Sequence, residues 1–180
     1  NGGFIETSGQ VLDLFNLVTP GDGGTWLIDP FDIIIDATNA GKIQTALNAG
    51  ANVIVSTATA TSTCGSVSCD QGGASGSTGN ITISASIIAN TNANLTFQAN
   101  GRIYINTSVN IWLNSSTTGR YTKDATKTGS LLLGGADVAT ITASNYTTCA
   151  TCYANAGGSQ LSGVILGTAG AIDIQLGGDL

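Results

Sequence analysis

Short runs of alternating apolar and polar residues recur along the chain. Ile, Val, Leu and Phe take every second position in NVIVST, NITISASI, NLTFQ, RIYIN and AIDIQL, with glycine, asparagine or other small polar residues between the runs. A period of two is typical of strands that bury one face. The pattern predicts strands over residues 11–17, 26–28, 31–35, 52–57, 80–87, 94–98, 102–106, 109–113, 130–133, 138–141, 164–166 and 171–176.

One segment favours a helix. Residues 42–49, KIQTALNA, are followed by Gly50, which suits the end of a helix. The same residues could equally form an irregular corner between strands.

Signals for antiparallel hairpins are sparse, with Asn100-Gly101 and Asp22-Gly23 as the two-residue turns of the expected kind. A unit of roughly 20 residues recurs instead, in which a small polar corner joins two apolar triplets. The pattern predicts an all-β chain folded as a parallel β-helix, or β-solenoid. Asparagine side chains at equivalent corners would then hydrogen-bond from one turn to the next.

The composition also favours strands, and the charge pattern excludes one class of partner. Charged residues make up 9% of the 180 residues, against about 25% in an average chain. The net charge is −6 and the basic residues form no stripe, so nucleic acid is excluded as an expected partner. Arg102, Arg120, Lys123 and Lys127 are interpreted as a solvated face.

No catalytic machinery is predicted. The chain has no histidine, so a Ser–His–Asp triad cannot form, and no cofactor is expected. No apolar run is long enough to predict a membrane span. Because the chain starts at Asn1, we interpret it as a mature or excised segment whose export signal has been lost.

Three aspartates cluster in GTWLIDPFDIIID. The favoured interpretation is structural, with Asp29 in a turn before Pro30 and with Asp32 and Asp36 at strand edges or on the solvent side. Two alternatives stay open. One is a calcium site completed by neighbouring turns, and the other is the carboxylate pair of a polysaccharide-cleaving enzyme.

Four cysteines fall in two close pairs, Cys64 with Cys69 and Cys149 with Cys152. The favoured interpretation is two local disulfides that pin loops of an exported protein. Zinc binding, or cross-links between the pairs or between chains, are the alternatives.

Sequons for N-glycosylation occur at five asparagines, which we treat as candidate modification sites. They are Asn80, Asn94, Asn106, Asn114 and Asn145.

Several longer motifs resemble a known family. In order they are NGGFIETSGQ, GTWLIDPFDIIID, IQTALNAGANVIVST, TGNITISASI and NLTFQANGRIYINTSV, together covering about residues 1–113. Their order and spacing resemble the filamentous-haemagglutinin-like exoproteins of bacterial two-partner secretion. Residues 114–180 carry no such signature and are expected to add further coils to a single domain over residues 1–180.

The resemblance implies a right-handed parallel β-helix that is exported through an outer-membrane pore and is secreted or held on the bacterial cell surface. It also implies a non-catalytic adhesin that acts in attachment as a stiff rod, with a glycan or protein of a host or neighbouring cell as partner. The alternatives are a filament or sheath subunit that self-associates head to tail, and a polysaccharide-active enzyme. Residues 58–79 are longer than the family pattern and are expected to protrude as a loop held by Cys64–Cys69.

Overall fold

The structure, a computed structural model, describes residues 2–12, 14, 16–57, 79–99, 101–106, 109–113, 127–135, 146–148, 164–167 and 172–175. These residues contain one helix, α1 (Ala37–Asn48), together with twelve strands. The strands are β1 (Phe4–Val11), β2 (Thr25–Ile35), β3 (Asn52–Ser56), β4 (Ile81–Ile83), β5 (Ile87–Ile88), β6 (Leu95–Ala99), β7 (Ile103–Ile105), β8 (Asn110–Trp112), β9 (Leu131–Gly135), β10 (Tyr146–Thr148), β11 (Val164–Gly167) and β12 (Ile172–Gln175).

The strands form two sheets in which every described pairing is parallel. The larger sheet has eight strands in the order β12-β9-β6-β3-β2-β4-β7, with β1 also paired to β2. The smaller sheet has the order β10-β11-β8-β5. Strand β2 pairs with β3 through residues 25–28 and with β4 through residues 33–35, so the larger sheet curls along this one long strand.

The predicted all-β, right-handed parallel β-helix is wrong. The structure has a mostly parallel, curled sheet of half-barrel form with one helix, and the described residues show no solenoid. A period of two indicates strands with one buried face, but it does not indicate how successive strands close around a core.

The core lies on the inner face of the larger sheet and confirms the alternation read from the sequence. Buried residues take every second position in the strands, and the parallel register places them opposite one another. Val53, Leu95 and Leu131 are aligned across β3, β6 and β9. Val55, Phe97 and Leu133 form the next row, while Trp26 and Ile28 extend both rows into β2.

Helix α1 confirms the predicted helix and extends it at the amino end. Asp36 is the N-cap, and its Oδ1 accepts a hydrogen bond of 2.8 Å from the backbone N–H of Asn39. The helix buries Ala40, Ile43, Ala46 and Leu47. It is followed by Gly50 at φ 85°, a left-handed conformation that glycine adopts without strain.

Several strand boundaries differ from prediction. The first strand is β1, Phe4–Val11, whereas residues 11–17 were predicted. Residues 26–28 and 31–35 belong to the single strand β2, which continues through Pro30. The predicted strand at 80–87 is divided into β4 and β5, and β10 was not predicted. The predicted strand at 138–141 and positions 58–78 of the predicted loop lie outside the described residues.

Candidate functional site

Asparagine side chains join consecutive strands of the larger sheet. The Oδ1 of Asn52, the first residue of β3, accepts a hydrogen bond of 2.9 Å from the backbone N–H of Asn94, just before β6. The Oδ1 of Asn94 in turn accepts one of 3.0 Å from Ser130, just before β9. The three residues form a ladder across the sheet, as predicted for asparagines at equivalent corners.

A second ladder crosses the other arm of the curled sheet. The Oδ1 of Asp32 accepts a hydrogen bond of 2.6 Å from the N–H of Asn80, and the Oδ1 of Asn80 accepts one of 2.8 Å from Arg102. Parallel strands lie about 4.8 Å apart, and a short amide or carboxylate reaches across that gap to the N–H that precedes the next strand. The same contact therefore recurs directly before β4, β6, β7 and β9.

A third set of such bonds lines a polar groove of about 340 Å³. The Oδ1 of Asn48 accepts a hydrogen bond of 2.9 Å from the N–H of Asn90. The Oδ1 of Asn92 accepts one of 3.1 Å from Thr128. The groove lies between the carboxyl end of α1, the start of β3, the segment before β6 and the segment before β9. Its polar lining residues are Asp22, Asn48, Asn52, Asn90, Thr91, Asn92 and Lys127.

Small residues form the rest of the groove, so no bulky side chain covers its backbone. Gly50 and Gly23 both have positive φ, 85° and 72°, and the Gly23 N–H donates a hydrogen bond of 3.0 Å to the Gly50 carbonyl. A Cβ at Gly50 would overlap the carboxylate of Asp22. Ala49 and Ala93 complete this surface.

Buried Thr91 holds the groove in place from beneath. Its hydroxyl donates a hydrogen bond of 2.5 Å to the carbonyl of Leu47 in α1. The same oxygen accepts a bond of 2.9 Å from the N–H of Ala93. The N–H of Gly129 donates a further bond of 3.2 Å to the Thr91 carbonyl. One residue thus links the helix, the segment before β6 and the segment before β9.

The ladder bonds determine what the asparagines present to a ligand. Because the Oδ1 atoms of Asn48 and Asn92 accept from backbone N–H groups, the hydrogen-bonding capacity left to each side chain is chiefly that of its Nδ2 group. Both side chains are exposed, and in the described part of the chain neither Nδ2 has a partner. Lys127 adds an ammonium group, and Asp22 adds a carboxylate.

The aspartates singled out from the sequence do not form one site. Asp29 lies within β2 opposite Ser8, so the predicted turn at Asp29 is wrong. Asp32 lies half-buried within β2, where it accepts from the N–H of Asn80, so its expected place at a strand edge or on the solvent side is wrong. Exposed Asp36 caps α1 directly after β2, as the structural interpretation expected. Among the described residues, no group of three His, Cys, Asp or Glu side chains is placed to hold a metal ion.

The other sequence-predicted sites are only partly visible. Cys64, Cys69, Cys149 and Cys152 lie outside the described residues, as do Asn114 and Asn145, and the disulfides stay a prediction. Of the remaining sequons, Asn94 and Asn106 are exposed and Asn80 is half-buried. Asn80 and Asn94 both accept ladder hydrogen bonds through Oδ1, and glycosylation of either residue stays a prediction.

Sequence reasoning missed the groove, although a signal was present. Asn48 and Asn52 recur as Asn90 and Asn94, and both hydrogen bonds join residues 42 positions apart. The equal offset therefore relates two pairs of asparagines that are each joined by a hydrogen bond. Lys127, interpreted from the sequence as part of a solvated face, instead lies half-buried at the groove.

Comparison with protein-family models, with curated proteins and with solved structures gives no match. The resemblance to filamentous-haemagglutinin-like exoproteins therefore rests on the sequence motifs alone. In the part of the chain that the structure describes, no helix combines the length and the apolar character that crossing a membrane requires.

Proposed function

We propose that this protein is a non-catalytic attachment module, exported through an outer-membrane pore and acting while secreted or held on the bacterial cell surface. The observation that carries the proposal is the polar groove, whose asparagine side chains are held by hydrogen bonds to backbone N–H groups of the following segments. The export route and the location are inferred from the resemblance of the sequence motifs to two-partner-secretion exoproteins. The rod shape is not retained, because it depended on the β-helix.

The ladders support a binding role for a physical reason. Side chains lose conformational freedom when a partner binds them, at a cost of about 0.5–1.5 kcal/mol for each flexible one. Asn48, Asn52 and Asn92 are already fixed by hydrogen bonds to the next strand, so most of that cost has been met during folding. A surface of this kind can bind through many weak polar contacts.

The test is attachment of the purified, fluorescently labelled full chain to bacterial and animal cells. We expect saturable binding that excess unlabelled protein displaces. An unrelated β-protein of the same net charge is the control, since it measures adsorption. Binding no greater than that of the control would refute the attachment proposal.

A second candidate function, self-assembly into filaments, is favoured by strand β1. This strand pairs with β2 on one side, and the described residues place no strand on its other side. Beside that edge, Phe4 is 64% exposed and Ile5 is 37% exposed. We infer that a second copy of the chain pairs with this edge. Strand β12 lies at the far side of the larger sheet and belongs to the same parallel array, so β12 of one copy can pair with β1 of another and extend the sheet head to tail.

Sedimentation velocity from about 1 to 100 μM, a range typical of weak association, separates the two candidates. Self-assembly predicts growth with concentration in the wild-type chain and loss of that growth in the double variant Phe4→Lys, Ile5→Lys. Leu17→Lys is the matched control, since Leu17 is also exposed but lies outside β1. A wild-type chain that stays monomeric over the whole range removes the filament candidate.

A further inference from the structure

Three side chains of the groove offer hydrogen-bond donors to a ligand. The Nδ2 groups of Asn48 and Asn92 are donors, and the ammonium group of Lys127 is a donor that carries positive charge. Asp22 contributes one carboxylate at the same groove. A complementary ligand therefore carries acceptors that meet these donors, and it gains from a negative charge near Lys127.

The size and surface of the groove restrict the ligand further. A volume of about 340 Å³ is at the lower end of small-molecule sites, which run from about 300 to 1,000 Å³. Gly23, Ala49, Gly50 and Ala93 leave the groove without bulky side chains. A compact, hydroxyl-bearing ring fits these conditions better than an extended apolar ligand, because the groove offers little apolar surface.

We propose that the groove binds an acidic saccharide, that is, a sugar ring that carries a carboxylate. The sugar carboxylate lies at Lys127 and accepts from the amide of Asn48 or Asn92, while a ring hydroxyl donates to Asp22. This inference rests on the proposed function and names the class of ligand that the attachment surface recognises. It involves no bond breaking.

The ladder geometry offers a variant that separates binding from folding. Asn48→Asp and Asn92→Asp keep the oxygen that accepts from Asn90 or Thr128, but remove the Nδ2 donor and add a negative charge. Asn94→Asp makes the same chemical change in the same kind of ladder outside the groove. Lys127→Gln removes the positive charge and keeps a polar side chain of similar length.

Titration calorimetry of the full chain tests the proposal with three probes. Trigalacturonate carries a carboxylate on each of its three rings, sialyllactose carries one on its terminal ring, and maltotriose is a neutral control. We expect at least one acidic probe to bind tenfold or more tightly than maltotriose. Loss of one charge-assisted hydrogen bond, in Lys127→Gln or Asn48→Asp, weakens that binding about tenfold to a hundredfold. Asn94→Asp should stay within about twofold of wild type, since ladder substitutions outside the groove remove no ligand contact.

The results distinguish failure of the groove from failure of the attachment function. Absence of binding to both acidic probes, or equal affinities for wild type, Lys127→Gln and Asn48→Asp, overturns the saccharide site. Cell attachment that survives in those variants supports the attachment function and overturns the groove as its site. Saccharide binding by a chain that does not attach to cells supports the groove and refutes the attachment function.

Discussion

Asn52 and Asn94 are linked by a hydrogen bond of 2.9 Å from the backbone N–H of Asn94 to the side-chain oxygen of Asn52, across 42 residues of sequence. Asn94 then repeats the contact towards Ser130, 36 residues further on. Each asparagine is thus held by the strand before it and holds the strand after it. This relationship aligns β3, β6 and β9 at the point where each strand begins.

Removing the middle of this ladder should destabilise the protein by a modest amount. In Asn94→Ala the N–H of Ser130 loses its acceptor, while the bond from Asn94 N–H to Asn52 is kept. We expect a loss of about 1 kcal/mol in the free energy of unfolding, the usual net value of one hydrogen bond. Urea denaturation followed by circular dichroism measures it.

The matching controls for the ladder are Asn94→Asp and Gln98→Ala. Asn94→Asp keeps an acceptor for Ser130, and exposed Gln98 lies in β6 outside the ladder. Both should change the free energy of unfolding by less than about 0.5 kcal/mol, as is usual for surface substitutions. A loss in Asn94→Asp as large as that in Asn94→Ala would contradict the ladder as its cause.

The aligned core rows predict a larger effect. Phe97 is fully buried between Val55 and Leu133, so Phe97→Ala leaves a cavity in the middle of the sheet. The expected loss is about 3–5 kcal/mol, measured by urea denaturation. Thr96→Ala, next in sequence but on the opposite face of β6, should cost less than about 1 kcal/mol. Equal losses would show that the inner face of β6 is not the core.

The four cysteines give a prediction that the sequence alone supports. If Cys64–Cys69 and Cys149–Cys152 are disulfides, denatured and unreduced protein should show no free thiol with a thiol reagent. After reduction all four should react, and the unfolding midpoint should fall because the loops are no longer closed. Four reactive thiols before reduction would refute the disulfides, and release of zinc on denaturation would favour the metal-site alternative.

The sequence predicted where the strands lie better than it predicted how they assemble into a curled sheet. Alternation at Val53 and Val55, or at Ile103 and Ile105, reports one buried face, and the structure buries these residues. The same alternation carries no information on how the sheet curls, because closure depends on which strand each end of β2 pairs with. The β-helix was therefore an inference beyond what the periodicity contains.

The groove was harder to predict because it is assembled from distant segments. Asp22, Asn48, Asn92 and Lys127 come from four parts of the chain, and none belongs to a recognised motif. Asparagines also serve in turns, so each one alone suggested a corner. The common offset of 42 residues between Asn48 and Asn90 and between Asn52 and Asn94 becomes informative once the parallel register is known.

Two glycines close to one another in sequence should respond to alanine in opposite directions. Gly50 has φ 85°, and a Cβ there would overlap Asp22, so Gly50→Ala should lower the free energy of unfolding by about 1–3 kcal/mol. Gly41 lies inside α1, and a Cβ there would have no heavy atom within 4 Å. Gly41→Ala should therefore raise the free energy of unfolding by about 0.5–1 kcal/mol, through better helix propensity and a less flexible unfolded chain. Thermal and urea denaturation of the two variants measure both changes. A destabilising Gly41→Ala, or a neutral Gly50→Ala, would contradict the geometry described for these two glycines. Because Gly50 also lines the groove, the calorimetric titration should show weaker saccharide binding in Gly50→Ala and unchanged binding in Gly41→Ala.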